Sequence, residues 1–468
     1  MFIANSTNDQ LVVTPELFAI PDENRFIVYA PLKGVVVSAN EAAVQWLARY
    51  QVHADKTSQP TLYQRFADLG LLEPPGTTRI PSLPMDGSFQ PTDVIILTTT
   101  FCNFRCVYCY ASAGMRHEHF KPEVARAAIR LAVGNAITQG KPVTNLAFHG
   151  GGEPTTALSF IKQCVAYARE MAAGQVEVWP SIVTNGYLNG RQIEWLAQNM
   201  HSIQVSLDGP PAIHNEQRPL ANGRATFDRV CHTIQQLEQA GVPNLIIKAT
   251  ISSRHVQDMP AIAEFFCKTF TTRRFHFGPL MEAGRSLETG YHEPTATEYV
   301  AYAEESQQVA RSYGREIVVS LAQNTFPKLR LAFCGFTDPN FAVTVEGRVT
   351  GCYEILYADD ARARHAHFGE YLPERDIFVF DETRVRTMRR RLIPTLERCK
   401  NCFAKWQCGG DCHMRLFDQQ TGDETVRQLD FRCQVNRELV RRQLIRAIDQ
   451  HDSVVRFAPD LATDHAVV

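Results

Sequence analysis

The stretch VIILTTTFCNFRCVYCYA, residues 94–111, joins a short apolar run to a loop that carries Cys102, Cys106 and Cys109. A bounded apolar run of this length reads as a buried strand. The thiols are spaced C-x3-C-x2-C. A structural tetrahedral site takes four protein ligands, so three cysteines leave one position open to an exogenous group. Strand-like runs follow at VTNLAFH, VEVWPSIVTN, SIQVSLD, NLIIKATIS and RRFHFGPL. Helix-like segments lie between them: VARAAIRLAVGNAI, ALSFIKQCVAYAREMAA, RQIEWLAQNM, ATFDRVCHTIQQLEQA and MPAIAEFFCKTF. The alternation predicts an α/β fold with a parallel sheet wrapped by helices, its chemistry gathered where strands end in loops on the carboxyl side. The cysteine loop lies on that rim.

Composition narrows the function classes. With 468 residues, 44% of them hydrophobic, the chain buries sizeable cores. Its 48 basic and 50 acidic residues fall in no long single-sign run, which argues against nucleic acid or an anionic membrane as partner. MFIANSTNDQ has neither a basic nor an apolar segment of a signal peptide, and no run approaches the roughly 20 apolar residues of a membrane span. The expected location is therefore cytoplasmic. Thirteen cysteines, an odd number, read as reduced thiols serving as ligands.

The strand ends carry further polar motifs: Gly151-Gly152-Glu153-Pro154, Thr184-Asn185-Gly186 and Ser206-Leu207-Asp208-Gly209, followed by Arg218-Pro219. Met singly, each reads as an ordinary turn. A zinc site completed by His117 or His119 also fits the cysteine loop alone. In this order, however, the motifs resemble the radical S-adenosylmethionine enzymes over roughly residues 93–290. The resemblance implies a partial (β/α)6 barrel whose [4Fe-4S] cluster is held by Cys102, Cys106 and Cys109. Its open iron is chelated by S-adenosylmethionine, the source of a 5′-deoxyadenosyl radical. Gly151, Gly152 and Glu153 are then expected at the methionyl amino group, with the glycines letting backbone approach the ligand. Thr184, Asn185, Ser206 and Asp208 are expected at the ribose and methionine portions, Arg218 at the carboxylate and Tyr108 near the adenine.

Cysteines become dense again at Cys334, Cys352, Cys399, Cys402, Cys408, Cys412 and Cys433. A zinc ribbon on Cys399, Cys402, Cys408 and Cys412 would leave three without a role. The pattern resembles the SPASM extension of the same family, which implies two auxiliary Fe–S clusters. Cys399, Cys402, Cys408 and Cys433 would hold one, and Cys334, Cys352 and Cys412 the other. The preceding FPKLRLAF supplies no fourth cysteine for the second. Cys164, Cys231 and Cys267 fall on amphipathic helices and read as apolar residues.

The expected organisation is a small α+β domain over residues 1–75, a linker over 76–92 and the barrel over 93–320. The SPASM domain follows over 321–440, then a C-terminal helix and tail over 441–468. The N-terminal region resembles a shortened winged-helix domain of peptide maturases, which binds a leader peptide as an added strand; a helical cap is the plainer reading of the same residues. The resemblance implies a maturase of ribosomally made peptides or proteins, served by an electron donor such as flavodoxin or ferredoxin. The sulfatase-maturing branch carries Asp after the second SPASM cysteine. Here the sequence is Cys352-Tyr353-Glu354, so formylglycine formation needs Tyr353 or Glu354 as base. A small-molecule radical dehydrogenase is also compatible with these motifs, and a non-catalytic zinc or Fe–S sensor would use the same cysteines without chemistry.

Overall fold

The computed structural model describes residues 11–53, 58–81, 87–319, 327–337, 340–425, 430–451 and 453–462. The six expected strands form: β1 (Val94–Ile96), β2 (Val143–Phe148), β3 (Glu177–Thr184), β4 (Ser202–Ser206), β5 (Asn244–Ile251) and β6 (Arg274–Pro279). Each pairs in parallel with the next. The intervening helices are Pro122–Thr138, Leu158–Ala172, Gly190–Asn199, Phe227–Gln239 and Met259–Thr269. Strand alternation divides the two faces: on β5, Ile247, Ala249 and Ile251 are fully buried in the main core, while Lys248 and Thr250 line a cavity on the other side. Cys164, Cys231 and Cys267 are buried in that core, as apolar residues would be.

The sheet has strands beyond the six expected. A further parallel strand, β7 (Glu316–Val319), pairs with β6. On the opposite edge β8 (Ala342–Val343) pairs in parallel with β1. An antiparallel run through β9 (Arg348–Thr350), β10 (His367–Leu372) and β11 (Ile377–Phe380) completes an 11-stranded sheet. The physical reason is edge protection: β1 would otherwise present unpaired backbone groups. The cysteine-rich segment therefore begins by extending the barrel sheet, and the two share a core. Phe89, placed in the linker by its Pro- and Gly-rich surroundings, packs edge-on against Phe341, Phe368 and Phe380. Residues 82–86 of that linker, MFIANSTNDQ and residues 463–468 of the expected tail lie outside the described residues.

The N-terminal unit is built on ordinary turn and cap chemistry. Arg25–Ala30 and Val35–Ala39 pair antiparallel around Pro31–Gly34, with Gly34 at φ 64°. Asn40 Oδ1 accepts the Ala43 N–H at 2.9 Å and so caps helix Glu41–His53. Local patterning could not reveal that Val454–Arg456, from the far end of the chain, joins this sheet beside Val35–Val37. Nor does a boundary fall at residue 440: helix Asp430–Gln450 runs through it. Val440, Leu444 and Ile448 pack under the N-terminal sheet with Ile27, Tyr29 and Val36. Among the described residues no helix is long and apolar enough to cross a membrane.

Glu16 ties the two ends together. Its carboxylate accepts from Lys405 Nζ at 2.6 Å and from Trp406 Nε1 at 3.0 Å. Lys405 is 4% exposed, so Glu16→Ala strands a buried cation. We expect this change to cost roughly 3–5 kcal/mol in chemical denaturation. Adding Lys405→Met should restore most of the loss.

Candidate active site

A cavity of about 380 Å³ opens at the carboxyl ends of the strands. Cys102, Cys106, Tyr108 and Cys109 form one wall, with Gly151, Gly152, Glu153, Thr184, Asn185, Ser206 and Arg218 around it. Tyr353, Glu354, Arg415 and Arg432 from the cysteine-rich segment complete the lining. Of the residues singled out for the cofactor, Asp208 alone is not on the wall. It is fully buried and sits behind Tyr108, whose hydroxyl donates to Asp208 Oδ2 at 2.6 Å. Gln217 Nε2 and the Thr250 N–H also donate to it. Asp208, expected at the ribose and methionine portions of the cofactor, orients Tyr108 from behind.

The cysteine loop is held through its backbone. Arg105 N–H donates to Pro219 O at 2.8 Å and Val107 N–H to Gln217 O at 3.0 Å, which seats the Arg218-Pro219 segment against the loop. Arg218 Nη1 reaches the Tyr108 hydroxyl at 2.5 Å. Two further arginines, not among the motif residues, take the loop's carbonyls. Arg105 Nη1 donates to Cys102 O and Phe104 O, both at 2.8 Å. Arg285 donates from Nη1 to Cys106 O at 2.7 Å and from Nη2 to Ala113 O at 2.9 Å. Thr289 Oγ1 donates to Val107 O at 2.8 Å. The available sequence signal was the Gly284-Arg285 pair after β6. A Cβ at Gly284 would lie 2.4 Å from Tyr110 O, so only glycine lets this clamp close.

Glu153 is 3% exposed. Burial pushes its carboxyl up, and hydrogen bonds from Thr155, Thr184 and the Asn185 N–H oppose that shift. Thr184 Oγ1 and the Asn185 N–H both stand 2.7 Å from it, while Asn185 Nδ2 donates to Asn103 Oδ1 inside the cysteine loop. One carboxylate thereby fixes the ends of β2 and β3 relative to the thiols. The glycines before it also serve the fold. A Cβ on Gly152 would fall 2.0 Å from Phe101 O, and one on Gly151 2.7 Å from Thr99 O. They permit close approach to the protein's own backbone, closed by Gly152 N–H to Thr99 O at 2.7 Å and Glu153 N–H to Phe101 O at 2.8 Å.

The seven later cysteines fall into two groups by mutual influence. Cys399, Cys402 and Cys433 all act electrostatically on Cys408; Cys334 and Cys412 act on Cys352. Burial pushes Cys334 up to about 12 and Cys433 up to about 11. None of the thirteen cysteines forms a disulfide. Among the described residues no group of three or more His, Cys, Asp or Glu stands ready to hold a single metal ion. Asp411, between Cys408 and Cys412, has φ 60° and is locked by Arg432 through Nε contacts of 2.8 Å to both carboxylate oxygens. Glu354 pairs with Arg415 Nη2 at 3.0 Å, and the Tyr353 ring lies 4.7 Å from that of His149.

The barrel residues fit an iron–sulfur cluster with a bound amino-acid sulfonium. Three thiols border one cavity, and Arg218 Nε is buried there with no partner, an unmet donor of the kind a ligand carboxylate satisfies.

Comparison with known proteins agrees. Residues 96–264 match the model of the Radical SAM superfamily. A serine-type anaerobic sulfatase-maturating enzyme of Bacteroides thetaiotaomicron is 22% identical over 346 residues, 69% of this chain and 82% of that protein. An Fe-coproporphyrin III synthase of Methanosarcina barkeri is 27% identical over 210 residues, 44% of this chain and about half of that one (49%). The structure of anSMEcpe with bound AdoMet and the Kp18Cys peptide superposes with a TM-score of 0.60 at 18% identity, covering 76% of this chain and 99% of that one. The fold is shared, and residues 96–264 form a Radical SAM domain. The enzyme assignment displaces the non-catalytic sensor reading.

Gly152→Ala places a methyl group against the Phe101 carbonyl. Overpacking of this kind costs about 1–3 kcal/mol or more. We expect a lowered urea midpoint and loss of iron from the cysteine loop; an unchanged iron content would show that the two loops need not touch.

Proposed function

We propose that the protein is a SPASM-type maturase that modifies a side chain of a ribosomally made peptide or protein. The carrying observation is one cavity lined both by the cysteine loop and by Tyr353, Glu354 and Arg415. When bound, the cluster of Cys102, Cys106 and Cys109 with S-adenosylmethionine supplies a 5′-deoxyadenosyl radical for hydrogen abstraction. The chain's own residues position the partners. Arg218 offers its free Nε to the cofactor carboxylate, Tyr108 is fixed by Asp208 at 2.6 Å, and Glu153 keeps Thr184 and Asn185 on the wall. Cys399, Cys402, Cys408 and Cys433 would hold one auxiliary cluster; Cys334, Cys352 and Cys412 would hold the other. An electron donor such as flavodoxin or ferredoxin completes the proposal, with the cytoplasm as its setting.

Formylglycine formation is the second reading, favoured by the sulfatase-maturating relatives. It lacks the Asp of that branch. Glu354 stands in its neighbourhood but is engaged by Arg415, so a carboxylate base there must first exchange its partner.

Leader-peptide capture remains part of the proposal. Phe18–Asp22 is an edge strand of the N-terminal sheet, paired only with Arg25–Ala30 among the described residues, and an added strand is the expected mode of binding. The same sheet packs against Phe403, Cys402 and Cys408. Removal of residues 1–75 would therefore strip a wall from an auxiliary cluster as well as the peptide edge. Substitution of Ala19 by Pro on that edge is the cleaner probe.

Anaerobically reconstituted protein should carry on the order of twelve irons and release 5′-deoxyadenosine when reduced with S-adenosylmethionine. Cys106→Ala should lose about four irons and all nucleoside release. Retained release would remove the assignment of this loop. A peptide of altered mass without aldehyde reactivity supports the first reading; a hydrazine-reactive product supports the second.

A further inference from the structure

The inner wall of the barrel carries a cation that the proposed cofactor chemistry does not use. Lys248 projects from β5 into the cavity beside Gln204, Ser206 and Thr250. Its register neighbours are Ser206 on β4 and His276 on β6. No hydrogen bond or ion pair holds it among the described residues, and no acidic group acts on it: burial and then Arg218 both push its ammonium down. The two carboxylates of this cavity are already engaged, Glu153 by Thr155, Thr184 and Asn185, and Glu354 by Arg415.

The groups around Lys248 are also donors without an acid. His149 lines the cavity with its Nδ1 buried and unpartnered. Burial first, and Lys248 second, push His149 and His276 down to about 4, so both are neutral near pH 7. A cation in a desolvated cavity with no counter-charge is costly to maintain, and an incoming anion relieves that cost. Arg218 already offers an open Nε for the cofactor carboxylate, which leaves Lys248 for a second one.

We propose that Lys248, with His149 beside it, forms a subsite that binds a carboxylate of the substrate, from an acidic side chain or a chain terminus. The assignment deepens the maturase reading and rests on it for the word substrate. The two possible sources of a carboxylate here are the substrate and the methionyl group of the cofactor, and they separate experimentally.

The test is acetylation of Lys248 by an N-hydroxysuccinimide ester on the anaerobic holoenzyme, read by peptide mass spectrometry. It is run with S-adenosylmethionine alone, and with added butyrate or its neutral isostere butyramide. We expect butyrate to slow labelling by about threefold or more while butyramide does not. Lys248→Met should leave the dissociation constant for S-adenosylmethionine within about threefold, well short of the 1.4 kcal/mol that tenfold represents, and Lys248→Arg should retain the preference for a carboxylate peptide over its amide. Equal effects of butyrate and butyramide would overturn the subsite. Full protection by S-adenosylmethionine alone, with affinity for it lost about tenfold in Lys248→Met, would overturn the substrate assignment by giving the carboxylate to the cofactor. Failure of the maturase reading shows separately, as absence of 5′-deoxyadenosine with the butyrate effect intact.

Discussion

A loop that turns three thiols toward one cavity satisfies only part of its backbone by itself, and much of the structure answers that constraint. The carbonyls of Cys102, Phe104, Cys106 and Val107 accept from Arg105, Arg285 and Thr289. The loop's N–H groups pair with Gln217 and Pro219. Buried carbonyl and amide groups left unpaired would each cost a free energy comparable to the hydrogen bonds made here. The clamp therefore fixes the thiols before any ligand arrives. It also explains why Arg218 stands where it does, since the segment that seats the loop carries that side chain to Tyr108.

The barrel was legible because its signals are local. Apolar runs of strand length, amphipathic segments between them and turn residues at their ends recur in order, and each repeat formed as read. The Asn40 cap and the Pro31–Gly34 turn are local signals of the same kind. Pairings between distant parts of the chain were not. The strand Val454–Arg456 is three residues long and carries no period that announces Val35–Val37 as its neighbour. The extension of the sheet beyond β1 depends on a short hairpin whose partner lies more than 240 residues earlier.

The site was legible by motif more than by role. Most of the named rim residues converge on one cavity. The glycines at 151 and 152, expected to admit a ligand, also admit the carbonyls of Thr99 and Phe101. Asp208 was expected on the wall and stands one residue behind it. Arg285 and Lys248 escaped notice because an isolated arginine or lysine in a βα array has no distinguishing pattern. Only the fold brings the first to the loop's carbonyls and leaves the second without a counter-charge.

The two halves of the cavity make the cysteine-rich segment part of the site. Glu354 and Arg415 face the same space as the cysteine loop, and the Asp411–Arg432 pair anchors the wall between the two later groups of thiols. The central claim is that the loop after β1 leaves one iron open to an amino-acid chelate. Electron–nuclear double resonance of the reduced protein with S-adenosylmethionine labelled by ¹⁵N at its amino group and ¹⁷O at its carboxylate addresses this directly. The account predicts hyperfine coupling from both labels at the cluster of Cys102, Cys106 and Cys109. Their absence, with that cluster intact and the nucleotide bound, would contradict it.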